Sequence, residues 1–147
     1  MLRAKTENKD EGGGYKDEGG RMKDERSDLS VRTKRYSLDV IKLFVSLPKS
    51  EVGKVLGRQM LRSATSVGAQ YREANRGKSI PDFISKIEGA LQELDETAYW
   101  LDLLSESGID QTTELHRLRK ETDELISIFV TIAKSAKQRK AKPQTSQ

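Results

Sequence analysis

From Val52 to Arg76 the chain reads VGKVLGRQMLRSATSVGAQYREANR, and this stretch constrains the fold more than any other. It holds no proline, and at helical spacing its side chains sort onto two faces. Val52, Leu56, Gln59, Met60, Ser63, Val67, Gln70, Tyr71 and Ala74 fall on one side. Lys54, Arg58, Arg62, Arg72 and Arg76 fall on the other, within an arc of about 80°. Two small residues, Thr65 and Ala69, stand in the middle of that arc. Such a helix must pack its apolar face inside something. Its basic face must meet water, an acidic neighbour or phosphate.

The flanking chain repeats the helical period. Leu38, Ile41, Phe44 and Val45 form the stripe of a helix predicted from about Ser30 to Leu47, with Lys34, Arg35, Asp39 and Lys42 facing away. Pro48 stops it. Gly77 follows the second helix as its expected left-handed cap. Ser79 is placed as the N-cap of a third helix, with Pro81 in its first turn and Asp82 at the capping-box position. The third stripe is the clearest: Ile80, Phe83, Ile84, Ile87, Ala90, Leu91, Leu94, Ala98, Leu101 and Leu104. Ser107-Gly108 ends it, and Asp110 is expected to cap a fourth helix carrying Leu115, Leu118, Leu125, Ile126, Phe129, Ile132 and Ala133. Four long helices with short loops predict an all-α, antiparallel up-down-up-down four-helix bundle over residues 30–138.

Residues 1–29 read differently. Lys-Asp-Glu recurs every seven residues, at Lys9, Lys16 and Lys23, with glycines after the first two copies. Tyr15, Met22 and Leu29 keep the same period. One apolar residue per seven builds no seam, and interior glycines each cost a helix about 1 kcal/mol. The expectation is a disordered N-terminal tail, with Met22 as an alternative start, and a basic tail over residues 139–147.

Composition narrows the function. The chain has 147 residues, 34% of them hydrophobic and 34% charged, and no cysteine, which removes disulfides, thiol nucleophiles and cysteine-based zinc sites. No apolar run approaches a membrane span, and the N-terminus lacks a signal peptide's apolar core, so the expected compartment is the cytoplasm. No cofactor or metal is expected. His116 is the only histidine, no Glu-x-x-His pair stands ready for a di-iron centre, and no phosphate-binding loop or dinucleotide fingerprint occurs. Glu88, Asp95 and Asp102 recur every seven residues and read as a solvated stripe. An enzyme is not expected.

The net charge of +4 is unevenly spread. Residues 48–78 are basic, residues 79–107 are acidic, and the end from Lys134 adds Lys137, Arg139, Lys140 and Lys142 without an acid. The two helices either neutralise each other or present separate surfaces of opposite sign in an assembly. Trp100 lies off the third stripe, beside Tyr99 and Leu103. These three either cover a groove within the bundle or form a second apolar face for an oligomer or partner interface.

The run Gln59-Met60-Leu61-Arg62-Ser63-Ala64-Thr65-Ser66-Val67-Gly68-Ala69, continuing Tyr71-Arg72-Glu73-Ala74, resembles the signature of a bacterial four-helix bundle family, the 23S rRNA intervening-sequence protein family. Phe83 to Ile87 and Glu93 to Leu101 resemble its third-helix pattern. The likeness spans about residues 30–135 and departs at Gln70, where family members commonly have Asn. It implies an antiparallel bundle assembling as a ring-shaped homopentamer. The chain also resembles the accessory variability determinant of diversity-generating retroelements, which partners a reverse transcriptase and nucleic acid.

Two functions compete. In one, the oligomer associates with RNA or DNA through Lys54, Arg58, Arg62, Arg72 and Arg76, with Gln59 and Glu73 organising them, and a ring makes weak phosphate contacts multivalent. In the other, the bundle is a protein-binding adaptor or scaffold, docking through Tyr99, Trp100 and Leu103 or the acidic third helix.

Overall fold

The computed structural model describes residues 18–141, with side chains from residue 28 onward. Four helices follow one another: α1 (Glu18–Ser46), α2 (Glu51–Asn75), α3 (Ile80–Glu106) and α4 (Thr113–Ala141). Each packs on its sequence neighbours, and α4 returns to α1, which closes the expected antiparallel bundle. Of the tail expected over residues 1–29, residues 1–17 lie outside the described residues, as do residues 142–147.

α1 begins at Glu18 rather than near Ser30, so the second glycine pair lies inside a helix. Gly19 and Gly20 fall in its first turn, where backbone N–H groups lack intrahelical partners anyway and a glycine costs least. At the other end α4 runs on to Ala141, past the expected boundary at residue 138.

The core is built from Tyr36, Val40, Leu43 and Leu47 of α1, Met60, Ala64, Val67 and Tyr71 of α2, Ile87, Leu94, Leu101 and Leu104 of α3, and Leu115, Leu118, Leu125 and Phe129 of α4. Tyr71 and Phe129 meet edge to face across it, their ring centroids 5.7 Å apart. The α3 and α4 stripes sit where the periodicity put them. The α1 stripe does not: Leu38, Ile41 and Val45 are exposed, and the opposite face is inside. α2 is also turned, by roughly 50–60° on the helical wheel. Its buried face includes Gly53, Gly57, Ala64 and Gly68, while Val52 and Gln59 are exposed. The cause is close approach. A Cβ at Gly57 would stand 2.8 Å from Leu47 Cδ1 and 3.0 Å from Phe44 Cδ1, so α1 lies against bare backbone there.

Each helix contributes one hydroxyl to a polar layer in this core. Tyr36 Oη lies 2.6 Å from Thr122 Oγ1, and Ser63 Oγ lies 2.7 Å from Thr97 Oγ1. Thr122 and Thr97 each spend their proton on a carbonyl one turn back, at 2.7 and 2.8 Å, so Tyr36 and Ser63 are the donors. Burial pushes the Tyr36 hydroxyl well above its ordinary pKa, against the opposing pull of hydrogen bonds to Thr122 and Thr97.

The caps are largely local. Ser50 Oγ accepts from Gly53 N at 3.1 Å, and Ser79 Oγ accepts from Asp82 N at 3.1 Å. Two expected caps are corrected. Gly77 is not left-handed; its N–H closes a tight turn onto Ala74 O at 2.9 Å, and the positive φ of 81° among the described residues belongs to Gly108. Thr112, not Asp110, caps α4: its Oγ1 accepts from Leu115 N at 3.2 Å, while buried Asp110 braces it at 2.7 Å.

Candidate nucleic-acid interface

Some arginines of the bundle are tied to carboxylates across a helix seam. Arg32 of α1 makes a two-pronged contact with Glu121 of α4 at 2.7 and 2.8 Å and reaches Glu124 at 2.6 Å. Arg117 joins Asp39 at 2.9 Å, and Arg119 joins Asp102 at 2.8 Å. These pairs stitch α1 to α4 and α3 to α4.

The α2 arc behaves otherwise. Lys54, Arg58, Arg72 and Arg76 are exposed and make no ion pair among the described residues. Arg62 is the exception within the predicted stripe. It lies on the α3 side of the arc and reaches Glu96 at 2.5 Å and Glu93 at 3.4 Å. The acidic-neighbour reading thus applies to Arg62, and the four others meet no carboxylate among the described residues. Of the expected organisers, Glu73 accepts from Lys86 Nζ at 3.0 Å, and Gln59 is exposed with no side-chain hydrogen bond among the described residues.

The structure adds cations that the α2 wheel could not show. Lys34, Arg35 and Lys42 of α1 are exposed and make no ion pair among the described residues, and α1 packs on the side of α2 that carries Gly57 and Gly68. They face away from the core as expected, and Lys42 stands on the α4 side, beside Asp39, Glu114 and Arg117. At the α4 end, Lys137 pairs with Glu88, whereas Lys134, Arg139 and Lys140 are exposed and make no ion pair among the described residues.

The family model of the 23S rRNA-intervening sequence protein matches residues 26–131, most of the chain. The chain belongs to this family. A crystal structure from Bacteroides thetaiotaomicron, described as a protein with unknown function from the S23 ribosomal protein family, is similar at 30% identity with a TM-score of 0.68. The match covers 72% of this chain and 98% of that one. No curated protein matches.

In this member of the 23S rRNA-intervening sequence family, the Tyr99–Trp100–Leu103 group divides. Trp100 is half-buried against the bundle core, and its Nε1 is buried without a hydrogen-bond partner. Tyr99 is 57% exposed and packs edge to face on the Trp100 ring, centroids 5.2 Å apart. Leu103 is half-buried. Trp100 therefore covers its own bundle, and Tyr99 is the outward group. Gln70, the departure from the family pattern, lies over Gly89 of α3 and makes no hydrogen bond among the described residues; a Cβ at Gly89 would run into its amide. Glycine at 89 is what makes room for the longer side chain. His116 is exposed on α4, among the described residues no three His, Cys, Asp or Glu side chains gather as a metal site, and no described helix is long and apolar enough to cross a membrane.

Proposed function

We propose that this protein is a non-enzymatic, cytoplasmic, self-associating bundle that binds RNA through the outward basic surface of α2. The observation that carries the reading is the contrast among the arginines. The fold pairs Arg32, Arg62, Arg117 and Arg119 with carboxylates and leaves Lys54, Arg58, Arg72 and Arg76 exposed on one arc, with no ion pair among the described residues. An unpaired row of one sign attracts a polyanion, and no aromatic ladder or base-reading motif accompanies it, so selectivity comes from RNA shape. The family's name ties its members to 23S rRNA intervening sequences, which supports RNA as the anion. A homopentamer, as the resemblance implies, would repeat the row around a ring and make weak contacts additive.

The test is a fluorescence-anisotropy titration with a structured RNA at low and higher salt. Four phosphate contacts per chain predict that affinity falls roughly 50- to 150-fold between about 50 mM and about 200 mM salt. Arg58→Ala/Arg72→Ala should reduce the salt slope by about two contacts, and Arg62→Ala should reduce it less. Failure of the folded wild type to bind at low salt would sink the reading.

Exposed Tyr99 supports a second reading, a protein-binding adaptor whose partner docks on α3. The resemblance to retroelement accessory proteins points to a reverse transcriptase as one such partner. Binding by that route should be weakly sensitive to salt and lost in Tyr99→Ala.

A further inference from the structure

The cations of the α2 arc come in two pairs, Lys54 with Arg58 and Arg72 with Arg76, the members of each pair four residues apart. The second pair follows the first after eighteen residues, which is five whole turns of an α-helix. The two pairs therefore point the same way, and their centres stand about 27 Å apart along α2. Arg76 is the C-cap, so the repeat closes with the helix. All four side chains are exposed and make no ion pair among the described residues. Between the pairs, Arg62 is drawn toward α3 by Glu93 and Glu96, and half-buried Thr65 and exposed Ala69 leave a low, uncharged saddle. Thr65 turns its hydroxyl back onto Leu61 O at 2.8 Å. No aromatic side chain stands on the arc.

Two cation pairs fixed on one line favour a polyanion whose phosphates recur at that interval. Along one face of a duplex, each strand returns once per turn, after about 28 Å in A-form RNA and about 34 Å in B-form DNA. The spacing on α2 matches the RNA value. A single strand holds no fixed interval, and an arc without aromatic platforms offers its bases no stacking. We infer that the RNA taken by this surface is a duplex longer than one turn, with α2 lying along it. Lys54/Arg58 and Arg72/Arg76 contact phosphates of one strand a full turn apart, and the opposite strand crosses over Thr65 and Ala69, whose side chains are too short to hold it off. Glu51, exposed one turn outside Lys54, makes the Arg72/Arg76 end the stronger of the two. This rests on the RNA binding proposed above and adds the form of the RNA and its register.

The test titrates the full chain with two RNA hairpins that share one tetraloop and have stems of about 8 and about 16 base pairs, the shorter only about 22 Å long and unable to reach both pairs. At about 50 mM salt the wild type should bind the longer stem about tenfold more tightly per site, with a salt slope about twice as steep. Lys54→Gln/Arg58→Gln and Arg72→Gln/Arg76→Gln each remove one pair and should hold the two stems alike. A variant of unchanged charge, Arg72→Gln/Arg76→Gln/Thr65→Arg/Ala69→Arg, brings the second pair to about 17 Å from the first and should lose the length preference by gaining affinity for the short stem. Circular dichroism checks the fold of each variant. A wild type that binds both stems equally per site overturns the duplex register and leaves RNA binding standing. The same holds for a single strand, or a DNA hairpin of the same sequence, bound as tightly as the longer RNA stem. No binding to any of these RNAs overturns the function proposed above as well.

Discussion

The hydroxyl layer allows a prediction in which donor and acceptor are not interchangeable. Tyr36 Oη donates to Thr122 Oγ1 at 2.6 Å, because the Thr122 proton is already given to Leu118 O at 2.7 Å. Tyr36→Phe removes the donor and leaves Thr122 with its proton satisfied and only a lone pair idle. The loss is one neutral buried hydrogen bond, about 1–1.5 kcal/mol. Thr122→Val instead leaves Tyr36 with a buried O–H and one acceptor fewer, which costs about 2 kcal/mol. Together the two changes remove both halves, so the double variant should cost about 2 kcal/mol, well short of the sum. The assay is urea unfolding of all four proteins at one fixed concentration, since self-association would add to apparent stability. The expected coupling is about 1–1.5 kcal/mol. Additive costs, or a Tyr36→Phe variant as stable as the wild type, would refute the assignment of Tyr36 as donor in a working hydrogen bond.

Two glycine-to-alanine changes should have opposite signs in the same denaturation assay. Alanine at 57 gains about 1 kcal/mol of helix propensity but forces a methyl against Leu47 and the Phe44 ring, and overpacking of about 1–3 kcal/mol wins, so the variant is less stable. Alanine at 89 meets only the end of the flexible Gln70 amide, which makes no hydrogen bond and can swing outward, so a gain of about 0.5 kcal/mol should remain. Equal signs would show that close approach does not decide these positions. The Tyr36 hydroxyl predicts an alkaline limit: its folded pKa is raised by burial, so its contribution is intact below the ordinary tyrosine pKa of about 10 and lost as pH rises beyond it. Absorbance titration should show Tyr36 ionising only with unfolding. Stability of Tyr36→Phe should fall less steeply above pH 10 than that of the wild type; equal slopes would refute the assignment.

The α3 stripe was legible because a single face of that helix holds nearly all its large apolar residues. α1 was not, because it carries two stripes: Val31, Leu38, Ile41 and Val45 on one side, and Leu29, Tyr36, Val40, Leu43 and Leu47 on the other. Periodicity cannot rank them. The second stripe goes inside because its tyrosine finds Thr122 across the core and Leu47 closes against Gly57. α2 was misjudged by a partial turn because a glycine counts for nothing in a hydrophobic pattern, yet marks where a neighbour comes nearest. Arg62 was grouped with Arg58 because a wheel does not say which helix stands beside it. These errors share one source. A wheel fixes a side chain's direction on its own helix, whereas burial and pairing depend on what stands next to that helix. For Leu38, Ile41 and Val45 the monomer places nothing there.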